Sequence, residues 1–253
     1  MAAPPVAAVL VDAGSYAIAT MKMFGVPEST LAKTLREIER TIDLTPLEIT
    51  TCLRRGAELE IDVRYRESEV ELRDSLFLAL RERHGRFVYT ERGETIDALV
   101  AQLLAGRSIA VAESCTGGLV NTRLTDVPGA SRILRRGVVT YADEAKERIL
   151  GVRRNTLRRH GAVSEACAGE MAQGVRRWAK ADLGLAISGI AGPTGGTPDK
   201  PIGLVWIAAA TRQGVLTERH QIHRPERAAI RAWAADRLLN LARRILEGTA
   251  QVT

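Results

Sequence analysis

With 253 residues, 45% hydrophobic and 26% charged, the chain has the composition of one large or two modest globular domains, not of a disordered or fibrous protein. No apolar run reaches the ~18 residues that a bilayer crossing needs. The first eight residues lack the charged and apolar regions of a secretory leader, so a cytoplasmic protein is expected. The net charge of +6 comes from arginines that alternate with acids, as in Arg36-Glu37-Ile38-Glu39-Arg40, without interleaved aromatics; a solvated surface is expected here, with no nucleic acid as partner.

Cys52, Cys115 and Cys167 are odd in number and far apart, and the four histidines do not cluster. Neither a disulfide framework nor a metal site is expected. Only five lysines occur, at 22, 33, 146, 180 and 200, so a lysine beside a motif is informative.

In chain order, Pro27 to Ile42 reads as a helix capped by Ser29, with Leu31, Leu35, Ile38 and Ile42 on one face. Leu47 to Leu53 is β-like, and Leu59, Ile61, Val63 and Tyr65 alternate with charges as a half-buried strand does. Glu67 to His84 is helical, and Phe87 to Tyr89 is a short strand. These elements make an α-β-β-α-β unit, a small α+β module over residues 1–90. The loop Arg54-Arg55-Gly56-Ala57 has no GxxG signature of RNA binding, so the module is expected to be structural or dimerising.

Residues 91–253 alternate strands with helices. An amphipathic helix from Ile96 is closed by Gly106. A strand follows over Ser108 to Ala112, and Thr116-Gly117-Gly118 opens a helix running to Thr125. Asp126 to Gly129 is a turn, Gly137 to Tyr141 a strand, and Asp143 to Leu150 a helix. Ser164 caps a long helix through Ala179, and Leu183 to Ser188 is an apolar strand. A hairpin over Gly203 to Ile222 and a last helix from Pro225 complete the chain. The expected architecture is a three-layer α/β sandwich with a mixed sheet.

Three segments combine polar residues with glycine. In Glu113-Ser114-Cys115-Thr116-Gly117-Gly118, between a buried strand and a helix, Ser114 stands where an acyl-transfer nucleophile would. Helix-start N–H groups there can hold an anion or an oxyanion. Capping of the helix by Ser114 and Thr116 explains the same residues equally well, and Cys115 is a rival nucleophile. In Tyr141-Ala142-Asp143-Glu144-Ala145-Lys146, a desolvated lysine can serve as the base that a serine needs. A surface lysine paired with Asp143 or Glu144 is the plainer reading. The third segment, Ser188 to Gly203, holds five glycines and three prolines in a loop between strands, a shape that exposes N–H groups to a phosphate.

Together these segments resemble the CinA family (competence/damage-inducible proteins). The likeness is carried by AESCTGG at Ala112–Gly118, LTDVPGAS at Leu124–Ser131, GVVTYADEAK at Gly137–Lys146, LGV at Leu150–Val152, HGAVSE at His160–Glu165 and SGIAGPTGGTPDKPIG at Ser188–Gly203. The second half, from about Glu94 to Leu246, is similar to the family's nicotinamide-nucleotide amidase domain. The first half is similar to the middle module of longer members, through Phe24-Gly25-Val26-Pro27-Glu28-Ser29 and Pro46-Leu47-Glu48.

The resemblance implies hydrolysis of the carboxamide of nicotinamide mononucleotide to nicotinic acid mononucleotide and ammonia, without a cofactor. Ser114 is then the nucleophile, and Tyr141 and Lys146 its activating partners. Cys115, Thr116, Gly117, Gly118, Ser188, Gly189, Lys200, Arg227 and Arg231 are the expected substrate contacts. Arg227 follows an Arg224-Pro225-Glu226 step where the family carries a Gly-Asp-Arg-like one. A homo-oligomer is also implied. The N-terminal molybdopterin-binding-like domain of longer members, with its ADP-ribose hydrolase activity, is not expected in this chain. The alternative function is a non-catalytic nucleotide-binding or adaptor protein linked to competence or DNA damage.

Overall fold

The computed structural model describes residues 16–54 and 58–252. The opening residues read above for a leader, and Arg55 to Ala57 of the Arg54–Ala57 loop, lie outside them. The chain divides between Glu94 and Thr95 into two compact units.

The first unit is a four-stranded antiparallel sheet with two helices. Its elements are β1 (Tyr16–Phe24), α1 (Glu28–Ile38), β2 (Glu48–Leu53), β3 (Glu58–Arg66), α2 (Val70–His84) and β4 (Val88–Thr90), with sheet order β2-β3-β1-β4. β1 was not anticipated from the sequence. Its buried Met21 and Met23 alternate with Lys22, a charge that hides the pattern. Lys22 is nevertheless buried, because Glu60 and Glu58 across the ladder hold its ammonium at 3.1 and 3.5 Å. Met21 and Met23 join Leu31, Ile38, Ile61 and Leu80 in one apolar cluster. Helix α1 starts behind Pro27 with no side-chain cap and stops at Ile38, so Ser29 lies in the first turn and Ile42 beyond the helix.

The second unit contains α3 (Ile96–Leu103), β5 (Ile109–Glu113), α4 (Leu119–Thr125), α5 (Ala130–Ile133), β6 (Leu134–Val139), α6 (Asp143–Leu150), α7 (Arg154–His160), α8 (Glu165–Ala179), β7 (Leu183–Gly189), β8 (Leu204–Ala210), β9 (Val215–Gln221) and α9 (Arg227–Leu246). The sheet runs β6-β5-β7-β8-β9. β6, β5 and β7 are parallel; β7, β8 and β9 are antiparallel. Helices α3, α4 and α9 lie on one side and α8 on the other, with α6 and α7 against α8. This is the three-layer α/β sandwich with a mixed sheet.

Small residues let α8 come close to the sheet. Ala110, Ala112, Ala186 and Ala208 meet Ala168 and Ala172 in one cluster. A Cβ at Gly184 would stand 2.3 Å from the Ala172 carbonyl oxygen, so only glycine fits there. On the opposite side, buried Arg123 of α4 joins α3 to α9: it bonds Asp97 at 2.8 Å and Asp236 at 2.6 Å.

Several boundaries differ from the sequence reading. β6 begins at Leu134 and ends at Val139, so Tyr141 lies beyond the strand; exposed Arg135 and Arg136 on this sheet edge disguised its start. α5 and α7 were unread, and α9 begins at Arg227 rather than Pro225. Among the described residues, no helix is long and apolar enough to cross a membrane.

Candidate active site

The three parallel strands end at the same edge of the sheet, as the pairing of Glu113 with Val139 and Ile187 requires. Ser114 and Thr140-Tyr141, which follow β5 and β6, and Ser188 near the end of β7 are therefore brought together. Clefts beyond the carboxyl ends of parallel strands are where α/β folds bind ligands.

Ser114 continues β5 by donating its N–H to the Ile187 carbonyl at 3.0 Å. The chain then turns sharply. The N–H of Gly117 returns to the Ser114 carbonyl at 3.1 Å, and Gly117 and Gly118 take φ of 61° and 96°, a region that favours glycine. Neither Ser114 nor Thr116 caps α4. The Glu113 carboxylate does, accepting from the N–H groups of Gly118, Val120 and Asn121 at 3.0, 3.2 and 2.8 Å. The serine hydroxyl is thereby left to other work.

Ser114 lines a cleft of about 240 Å³ together with Cys115, Tyr141, Lys146, Ser188, Gly189 and Arg227. Ala162, Val163 and the loop from Ile190 to Gly195 close its other wall. The Ser188 hydroxyl donates to the Ala162 carbonyl at 2.8 Å, tying β7 to that wall. A Cβ at Gly189 would stand 2.7 Å from the Leu204 carbonyl oxygen, so a glycine is required at this bend.

Lys146 is fully buried, which corrects the surface-lysine reading. Its Nζ donates to the carbonyls of Thr140 at 2.9 Å and Tyr141 at 3.0 Å, while the nearest carboxylate, Asp143, is 3.8 Å away. Burial lowers its pKa from the usual 10.5, and Asp143 only partly opposes this. Tyr141 meets Lys146 through its carbonyl. The residue is 63% exposed, and its hydroxyl accepts a hydrogen bond from Arg227 Nη2 at 3.3 Å.

Cys115 is buried, and burial pushes its thiol up to about 12, so almost no thiolate exists near neutral pH. The remaining expected contacts divide. Arg227 lines the cleft and bonds the Gly192 carbonyl at 2.6 Å. Arg231 is behind the turn, donating to the Thr116 carbonyl at 2.6 and 3.2 Å, and Thr116, Gly117 and Gly118 are likewise not among the lining residues. Lys200 also lies outside the lining: its ammonium fastens the glycine loop to the His160 carbonyl.

Sequence reasoning missed Glu113 and Asn121, whose Nδ2 donates to Glu113 at 2.7 Å. The available signal was a glutamate ending an apolar strand and followed within five residues by two glycines.

Residues 93–246 match the CinA C-terminal domain family. A CinA-like protein of Mycolicibacterium gilvum is 45% identical over 249 residues, covering 98% of this chain and 59% of its own length. One from Mycobacterium tuberculosis is 45% identical over 245 residues, covering 96% and 57%. The chain thus spans less than three fifths of the length of these curated relatives. Among solved structures, a CinA superfamily protein from Klebsiella pneumoniae is 38% identical with a TM-score of 0.58, covering 60% of this chain and 96% of its own. One from Escherichia coli is 34% identical with a TM-score of 0.56, covering 60% and 90%.

Proposed function

The chain belongs to the CinA family, and from that premise we propose that its second unit is a nicotinamide-nucleotide amidohydrolase. It converts nicotinamide mononucleotide to nicotinic acid mononucleotide and ammonia in the cytoplasm. The observation that carries this reading is Lys146, a fully buried lysine with a lowered pKa in the cleft that Ser114 lines.

A serine hydroxyl is too weak an acid to attack an amide unaided and needs a base. A neutral amine has two N–H bonds and one lone pair. The Thr140 and Tyr141 carbonyls occupy both N–H bonds of Lys146, which leaves the lone pair to take the Ser114 proton. Ser114 Oγ bonds to the amide carbon, and the carbonyl oxygen becomes an oxyanion. The N–H groups of Gly117 and Gly118 are already committed to Ser114 and Glu113, so that of Cys115, which lines the cleft, is the oxyanion donor. Such a donor contributes about 3 kcal/mol. The Lys146 ammonium then protonates the leaving nitrogen, and ammonia departs. Water, deprotonated by Lys146, opens the acyl-serine and yields the carboxylate.

At about 240 Å³ the cleft is below the usual ~300–1,000 Å³ of ligand pockets. It accommodates the carboxamide and pyridine end, and the ribose phosphate extends over the rim toward Arg227. Purified protein is expected to release ammonia from nicotinamide mononucleotide, and Ser114→Ala to abolish the release. A Ser114→Ala variant with wild-type activity refutes the serine mechanism.

A further inference from the structure

Glu113 immediately precedes the serine and is fully buried. Four donors converge on its carboxylate: the N–H groups of Gly118 and Val120 on Oε2, and the N–H and Nδ2 of Asn121 on Oε1. Its main chain is held as firmly. The Glu113 carbonyl accepts from the Thr140 N–H at 2.8 Å, and the Thr140 carbonyl in turn accepts from Lys146 Nζ at 2.9 Å. Asn121 is wedged against β6: a Cβ at Gly137 would stand 1.9 Å from its Oδ1. One residue therefore ties the turn that carries Ser114 to the loop that holds Lys146, and its side chain touches nothing in the cleft.

We infer that Glu113 is a positioning residue, an internal anion that holds the Ser114–Gly118 turn in the geometry of attack. The inference rests on Ser114 being the nucleophile proposed above. It also gives the N–H groups at the start of α4 to the protein itself, so the anionic end of the substrate is bound elsewhere. A carboxylate is required because four donors meet two oxygens. A glutamine would present one oxygen and aim its own N–H groups at backbone donors. Misplacing the nucleophile slows the chemical step, whereas binding of the ground state, made by other residues, is unaffected.

The test is steady-state kinetics of Glu113→Ala, Glu113→Gln and Asn121→Ala in the full chain, with melting temperatures measured in parallel. For both Glu113 variants kcat is expected to fall about a hundredfold, the scale of an ångström-sized misplacement, with KM kept within about threefold. Sodium formate, small enough to refill the site in Glu113→Ala, restores part of kcat; sodium chloride at equal ionic strength does not. Native kcat in a folded Glu113→Ala, or a loss carried by KM, overturns the inference. If Glu113→Ala does not fold, Asn121→Ala decides: about a fivefold loss in kcat at unchanged KM supports it, and native kcat overturns it. If the wild type releases no ammonia, the proposed reaction fails separately. Modification of Ser114 by a fluorophosphonate then reads the nucleophile directly: slower labelling in the variants supports the inference, and equal labelling overturns it.

Discussion

Lys146 Nζ lies 2.9 Å from the Thr140 carbonyl oxygen, on a buried side chain. Two carbonyls accept from this amine, and the Asp143 carboxylate is 3.8 Å away. Burial strips water from the ammonium and so favours the neutral form, with Asp143 opposing in part. The neutral amine is therefore a larger fraction at a given pH than in an ordinary lysine.

The first prediction is the pH profile. Because the neutral amine is the active form, kcat/KM rises with pH along a limb whose apparent pKa lies below the ordinary 10.5. Stability follows the same sign. The folded state binds fewer protons than the unfolded state between the lowered pKa and 10.5, so stability increases with pH across that window. Lys146→Met, which removes the buried amine, is expected to melt higher than wild type near neutrality, with the gap closing as pH rises. It is expected to lose the ~10²–10⁴-fold that a general base contributes.

Tyr141 separates carbonyl from phenol. Its backbone oxygen holds Lys146, and its hydroxyl reaches only Arg227 among the described hydrogen bonds. Tyr141→Phe is expected to keep kcat within about tenfold and to act mainly on KM. A loss in kcat as large as that of Lys146→Met would make the phenol a proton carrier.

Arg227 is the guanidinium of the cleft. A charged hydrogen bond is worth ~1.5–3 kcal/mol, so Arg227→Ala is expected to raise KM for nicotinamide mononucleotide about tenfold to a hundredfold. The same change leaves KM for free nicotinamide, which has no phosphate, unaltered. Parallel titrations with the two substrates separate the possibilities.

The buried triad of Arg123 with Asp97 and Asp236 supports the other side of the sheet. Arg123→Ala strands two buried carboxylates and is expected to cost about 3–5 kcal/mol, read by denaturant unfolding of the full chain.

The alternation of strands and helices in the second unit was legible because β5, β7 and β8 are apolar runs set between helical stretches. Elements carrying charge were not. β1 hides behind Lys22, which is paired with glutamates 36 and 38 positions away. β6 starts with exposed arginines because it is an edge. At the site, Ser114 and Lys146 were readable from residue type and scarcity. Their arrangement was not, because it depends on the β5–β6 register and on a carboxylate that reads, in one dimension, as the unremarked residue before a serine. Arg231 and Lys200 illustrate the reverse: their charge suggested phosphate, whereas both fasten backbone carbonyls.

The central claim is a covalent bond between Ser114 and the nicotinoyl group. Rapid quenching of the enzyme during turnover of nicotinamide mononucleotide, followed by peptide mass spectrometry, tests it most directly. A nicotinoyl ester on Ser114, absent from Ser114→Ala, is the predicted result. An adduct on Cys115, or ammonia release with no ester formed under any quench, contradicts it.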